Sequence, residues 1–485
     1  MNRLLAGTAI TLISLSCPAF AESQVELTIE QYIAMGNADG GKVEYSSKDS
    51  GADYVEYKDV SIADPEGEML ITTDWLRATE GADGTTTMTF ADAVNVSVKT
   101  NGAAEATSFV ISSDNLELTT NMLVPDPTTL TAFSLNVVAD MLKIGDLAGD
   151  TSMLHALDLT LDQTNLSFNF DMTTMKASGG WSAASLDAIY DFEVEGQAQK
   201  ADSKMADFDL TFDMDVPQGE QDMPAYLNGT KNAVFKMTAG PSSGSGSIVD
   251  PNFAVDYTGT GEGSDIEISM IDGDLLYHIE GGKVAYTIAP QGMGIEPVDI
   301  AMTDVLMNIG VPFGATTAPE EANIALKMTD LVIGESAWAL VDPGKTLPRD
   351  PLNIDIDISS NVQFADDLMM ASQIDPMNAV KPSDATINTF LVSVAGAKAS
   401  ADGTLTFDPA MPIPLPTGTI TVALEGVTTL AQKLADLGLV PAEQVGMLGG
   451  MLNVFAKPVG EDSYTSDIEF KGMEGVTVNG TPIPM

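Results

Sequence analysis

Side chains able to make or break covalent bonds are scarce in this chain. Histidine occurs twice, at His155 and His278, and cysteine once, at Cys17. The one nucleophile motif is Gly240-Pro241-Ser242-Ser243-Gly244, which matches the G-x-S-x-G elbow of serine hydrolases. That elbow needs a strand before the serine and a helix after it, so that the hydroxyl stands on a sharp turn. Here Ser245-Gly246-Ser247 follows and offers no helix, and each histidine lies in a mostly apolar context, His278 between Tyr277 and Ile279. A serine hydrolase built on Ser242 stands only as a second alternative. The expectation is a protein that is not an enzyme, with no catalytic residue assigned.

Metal chemistry is equally thin. Two histidines and a lone cysteine cannot form a transition-metal cluster. Asp-x-Asp occurs at Asp207/Asp209, Asp213/Asp215 and Asp355/Asp357. In a strand such carboxylates share a face about 6.8 Å apart, too far for a compact two-ligand contact. No EF-hand loop or Gly-rich calcium repeat accompanies them. They read as solvated acidic faces, with weak surface binding of divalent cations as the sharper reading, and no cofactor is assigned. Beyond the first twenty residues the only arginines are Arg77 and Arg349. A guanidinium presents a planar fork to carboxylates, so in this acidic chain each is expected in a structural ion pair, with an anionic-ligand site as the alternative.

The chain that carries these residues has 485 of them, with 70 acidic against 21 basic side chains, a formal net charge of −49. Such a charge repels phosphate, which excludes nucleic acid and anionic lipid surfaces as partners. At 44% hydrophobic and 19% charged, the composition supports a large core and excludes disorder throughout. Residues 1–21 read as a signal peptide: Arg3, an apolar stretch Leu4–Leu15, and Ala19-Phe20-Ala21 before a mature start at Glu22. A lipoprotein signal using Cys17 is the rival. Cleavage after Ala21 leaves 464 residues, a net charge of −50 and no cysteine. No later run approaches the roughly 20 apolar residues that span a bilayer, so a soluble periplasmic protein is expected. Without disulfides its stability must come from its core and its hydrogen-bond ladders.

The body reads as strands. Phe208, Leu210, Phe212 and Met214 alternate with aspartates and a threonine, and Ile354, Ile356 and Ile358 alternate with Asp355, Asp357 and Ser359. Leu157, Leu159 and Leu161 form one apolar row and Leu166, Phe168 and Phe170 another, with a slip at Gln163-Thr164 where a bulge could reset the face. Gly281-Gly282 is read as a two-residue hairpin turn, and Asn479-Gly480 closes two strands near the end. The expected fold is mainly β, an extended antiparallel sheet or a β-sandwich-like architecture with a few short peripheral helices. One helix is expected from a capping box at Thr28 and Gln31 to Gly36, and another over Thr303–Ile309. A helical hairpin is expected over 428–455, interrupted at Gly438 and restarted at Pro441. Its Met447 and Met451 admit a lid or lipid-contacting flap as the sharper reading. The run Gly240–Ser247 is flexible in composition and reads as a linker between β-rich halves 22–239 and 251–485, or as a long loop. No regular repeat period is present.

One segment resembles a known family. The stretch from Trp338 through Asp342-Pro343-Gly344-Lys345-Thr346-Leu347-Pro348-Arg349-Asp350-Pro351, then the Ile354–Ile358 strand, is similar to a signature of an exported bacterial family catalogued as domain of unknown function 2125. Gly282–Tyr286, Thr329-Asp330-Leu331 and the Glu474–Gly480 ending have a similar order of elements. The resemblance implies no catalytic residues. It marks Trp338, Asp342, Pro343, Leu347, Pro348, Arg349, Asp350 and Pro351 as a structural signature, in which the prolines fix a rigid turn and Trp338 packs beneath it. A looser comparison is with AsmA-like envelope proteins, whose extended sheets are thought to form lipid-handling grooves. The 26 methionines and 6% aromatics suit a pliable apolar groove and an ordinary sandwich core equally. The function expected is therefore a non-enzymatic envelope scaffold or a carrier of lipid or another apolar ligand. An outer-membrane β-barrel is the alternative, weakened by few aromatics and the Pro484-Met485 terminus.

Overall fold

A computed structural model of the protein describes residues 24–81, 84–99, 105–123, 129–194, 196–219, 223–364, 380–408 and 414–483. Residues 1–21, read from the sequence as a signal peptide, lie outside the described residues. The chain divides into two compact units. The first runs to Val216 and takes back Thr238–Asp256, and the second holds Pro217–Met237 with Tyr257 onward. Each is an antiparallel sheet, as the alternation of apolar and polar residues requires.

In the first unit four long strands lie side by side: Ala132–Gly149, Leu154–Asp171, Lys176–Val194 and Gln197–Asp215. Gln163 has φ +48°, at the place where the apolar row changes from odd to even positions. Beside it Thr164 is buried, accepting the indole N–H of Trp181 at 3.1 Å and donating to Ser182 O at 3.2 Å. Phe133, Phe168 and Phe212 continue the row across three of these strands, with ring centroids 5.6 and 6.0 Å apart. From Ser242 onward the Gly-Ser run is strand rather than linker or loop. Ser242–Asp250 is a strand in register with Gln197–Asp215, from Ser242 opposite Met205 to Val249 opposite Ala198. Small residues permit this approach: a Cβ on Gly240 would meet Ala206 O at 2.8 Å.

Helix α1 (Gln24–Ala38) closes one end of this unit. Val25, Ile29 and Ile33 pack on Val55, Tyr57, Val60, Leu76 and Ala78 from the strands Tyr54–Ala63 and Met69–Glu80. The capping-box reading of Thr28 is corrected here, because the helix starts four residues earlier. Thr28 lies inside it, buried, its hydroxyl donating to Gln24 O at 2.8 Å. Lys48 holds the helix from outside through Glu26, at 2.6 Å, and Glu30.

In the second unit nine strands follow one another, each antiparallel to the next. They are Ser264–Ile271, Asp274–Gly281, Asp304–Pro312, Glu320–Ile333, Leu352–Phe364, Asp384–Val394, Ala397–Phe407, Pro416–Glu425 and Ser463–Lys471. Two expectations change. Thr303–Ile309 is not a helix: Val305, Met307, Ile309 and Val311 point one way from a strand paired on both sides. Gly281-Gly282 is not a hairpin turn, because Asp274–Gly281 already has partners on both edges, and Val284–Pro290 pairs instead with Val298–Met302. The turn pair is as read, Asn479 at φ +53° and Gly480 at φ +80°, and it joins Val476–Val478, which pairs with Ser463–Lys471, to a further short strand Thr481–Ile483.

The remaining helices are α2 (Met223–Leu227), α3 (Glu335–Val341), α4 (Val427–Asp436) and α5 (Ala442–Phe455). The last two form the expected hairpin, broken at Gly438 with φ +74°. The N-terminus of α4 is capped from a distant turn. Asp462 accepts the backbone N–H of Thr428 at 3.2 Å and of Thr429 at 2.8 Å. Burial opposes ionisation of Asp462, but these amides, with the Thr428 hydroxyl that also donates to it, outweigh burial and hold its pKa below the ordinary value.

Because α1 supplies a whole wall of the first core, Ile29→Ala should destabilise that unit by about 2–5 kcal/mol. Urea unfolding followed by tyrosine fluorescence measures this, and an unchanged midpoint would contradict the packing described.

Candidate functional site

The chemistry-bearing residues are not brought together. Ser242 opens a strand and is followed by strand, not helix, so the elbow geometry does not form. His155 sits 3.3 Å from Ser152 O and 3.5 Å from Asp191, and His278 has Asn308 and Glu280 as its neighbours. Among the described residues no group of three or more His, Cys, Asp or Glu converges to hold a metal. Arg77 lies 3.9 Å from Glu56 and over the ring of Tyr54.

The signature segment does converge. Helix α3 ends at Asp342, whose side chain is fully buried. The Asp342 carboxylate accepts the backbone N–H of Thr346 at 2.9 Å and of Leu347 at 2.8 Å, and Arg349 Nη1 at 2.8 Å. Pro343 pre-sets the turn in which Lys345 N–H donates to Asp342 O at 3.1 Å. Arg349 also donates to Glu335 at 3.0 Å, to Leu347 O at 2.9 Å and to Asp342 O at 3.1 Å. Its guanidinium lies 4.5 Å from the ring centre of Trp338. Four of the five N–H groups of Arg349 are thus engaged within the chain. Leu347 is buried behind the turn. Pro348 stands over Gly396, where an added Cβ would meet Pro348 Cγ at 3.2 Å. Asp350 lies beside it, and Pro351 O takes the Asn353 side-chain amide at 3.4 Å. This is a clamp that delivers the chain from α3 into the strand Leu352–Phe364.

That strand lies within the surface best suited to a ligand. Residues paired across antiparallel strands share a face. One row runs Ile268, Tyr277, Ile309, Ile324, Ile358, Ile387 over six strands. The row beside it runs Ile266, Ile279, Met307, Leu326, Ile356, Phe390. None of these twelve is buried, and Ile324 is 52% exposed. The opposite face is polar. His278 Nδ1 lies 3.1 Å from Asn308 Oδ1, Asn308 donates to Asn323 at 3.1 Å, and Asn323 and Asn388 donate to Asp357 at 2.9 and 3.0 Å. This amide row pins the register, since a slip of one residue would exchange the two faces. Sequence reading reached the strands but missed the amide row, whose members are 30, 15, 34 and 31 residues apart in successive contacts.

The fold and this surface define an antiparallel, mainly β protein with one apolar and one polar sheet face. Residues 285–485 match the family described as an uncharacterized protein conserved in bacteria (DUF2125), which bears out the resemblance carried by the Trp338–Pro351 segment. Among curated proteins none matches the chain.

The clamp makes a pH prediction. Burial opposes the charge on Asp342, but the Arg349 hydrogen bond and the two backbone N–H groups hold its pKa at about 2, below the ordinary 3.8. A depressed carboxyl contributes stability that is complete above its unfolded pKa and is lost as pH falls through the folded one. The difference in Tm between wild type and Asp342→Asn should therefore be constant above about pH 5 and shrink below about pH 4. Thermal melts by circular dichroism measure it, and a gap that ignores pH would refute the ionic account.

Proposed function

We propose that this protein is an exported, periplasmic, non-enzymatic component of the bacterial cell envelope that carries apolar chains, such as lipid acyl chains, on the open face of its second unit. The observation that carries this reading is the pair of isoleucine-rich rows that six paired strands leave half-exposed. A contiguous apolar surface of that kind is costly in water and marks an interaction site. Each methylene laid against it contributes about 0.8 kcal/mol. A formal charge of −49 repels anionic head groups, so neutral or zwitterionic lipids are the favoured cargo. The Leu4–Leu15 stretch and Ala19-Phe20-Ala21 support export. Among the described residues no helix is long and apolar enough to cross a membrane.

Protein purified from bacterial periplasm without detergent should release phospholipid in native mass spectrometry. Ile324→Asp, which places a charge in the middle of the face, should lose that lipid while keeping wild-type circular dichroism. Lipid-free wild-type protein that also fails to take up phosphatidylethanolamine from vesicles would leave a scaffold alone.

A further inference from the structure

A different apolar feature lies in the first unit, where helix α1 crosses the strands Tyr54–Ala63 and Met69–Glu80. Between them is a cavity of about 100 Å³, walled by aliphatic side chains that include Ile29, Ile33, Val60, Leu76 and Met88. Tyr57 also lines it. This residue is only 2% exposed, and its hydroxyl is buried without a hydrogen-bond partner among the described residues. The contrast with Tyr32, on the same wall, is direct: that hydroxyl donates to Met122 O at 2.7 Å. Tyr45 meets the Tyr57 ring edge-on at 5.0 Å and offers it no hydrogen bond.

An unmade hydrogen bond on a buried hydroxyl costs about 1–3 kcal/mol, a cost that phenylalanine, with the same ring, would not carry. A single buried water is a poor remedy, since it needs two to four polar partners and, besides Tyr57, the described lining side chains offer only the hydroxyls of Tyr32, already donating to Met122 O, and Tyr45. Burial pushes the Tyr57 phenol well above its ordinary pKa, so it stays protonated and can donate. Among the described residues no charged side chain lines the cavity, which disfavours ionic ligands. Its volume is below the ~150 Å³ of an engineered cavity that admits benzene, so a five-membered ring or short branched chain is the appropriate size.

We propose that the cavity beneath α1 is a binding site for a small, neutral, apolar molecule bearing one hydrogen-bond acceptor, such as a ketone, ester or ether oxygen, which takes the Tyr57 hydroxyl. This site lies in the first unit and does not depend on the sheet face of the second.

Met88 provides a reporter inside the wall. With the full mature chain labelled at its methionine methyl groups, and the Met88 signal assigned through Met88→Leu, cyclopentanone and cyclopentane are titrated separately. Cyclopentanone should shift the Met88 methyl resonance and bind about tenfold more tightly than cyclopentane, the factor expected of one net hydrogen bond. Tyr57→Phe should abolish that preference and leave cyclopentane binding unchanged. A Met88 signal unmoved by both probes, equal binding of the two by wild type, or a ketone preference that survives Tyr57→Phe would each overturn the proposal. The wild-type comparison of ketone with hydrocarbon decides the matter even if the variant does not fold.

Discussion

Everything in this protein depends on long antiparallel ladders formed by strands whose two faces differ in chemistry. A chain of net charge −49 with a single cysteine can form no internal disulfide and has strong self-repulsion to overcome. Cross-strand hydrogen bonds answer the first problem. Alternation answers the second, because it places aspartates such as Asp355 and Asp357 on the side away from Ile354, Ile356 and Ile358. The amide row from His278 to Asn388 then makes the polar face a register lock rather than a mere coat of charge.

The acidic residues do more than solvate strands. Asp342 and Asp462 each gather backbone N–H groups that the fold would otherwise leave unpaired, one after α3 and one before α4. Asp171 does the same in a strand-to-strand turn, accepting from Thr173 and Thr174 at 2.7 and 3.0 Å. Hydrogen bonds of this kind favour the ionised form, so these turns hold best when the carboxylates are charged. In a protein with few lysines and arginines, backbone amides become the main partners of the acids that matter structurally. Two cations are informative exceptions: Lys48 ties Glu26 and Glu30 of α1, and Arg349 joins the buried Asp342 carboxylate, two carbonyls and an indole face.

Two apolar features of different kind bear on function. The sheet face in the second unit is broad and open, with Tyr277 the one residue of the twelve that carries a polar group, which suits long flexible chains. The cavity in the first unit is small and carries one donor, which suits a compact molecule with one acceptor. Neither needs a nucleophile, and Ser242, His155 and His278 are bound into ladders or turns apart from both.

Composition, alternation and turn chemistry determined much of this molecule by themselves. They determined a mainly β antiparallel fold, the row change at Gln163, the 428–455 helical hairpin, the Asn479-Gly480 turn and the rigid segment at Trp338–Pro351. These are local, set by period and by φ restrictions within a few residues. What only the tertiary structure decided is everything that depends on a neighbour. Thr303–Ile309 is largely strand because both edges of Asp304–Pro312 find partners, and Ser242–Asp250 is strand because glycine and serine let Gln197–Asp215 approach. That Thr28 lies inside α1 rather than at its start follows from Val25, Ile29 and Ile33 meeting a core that the capping pattern at Thr28 does not contain. The openness of the isoleucine face and the isolation of the Tyr57 hydroxyl are of the same kind. Whether an apolar row is covered, or a hydroxyl paired, is a property of what lies across from it, and no local pattern in one strand encodes that.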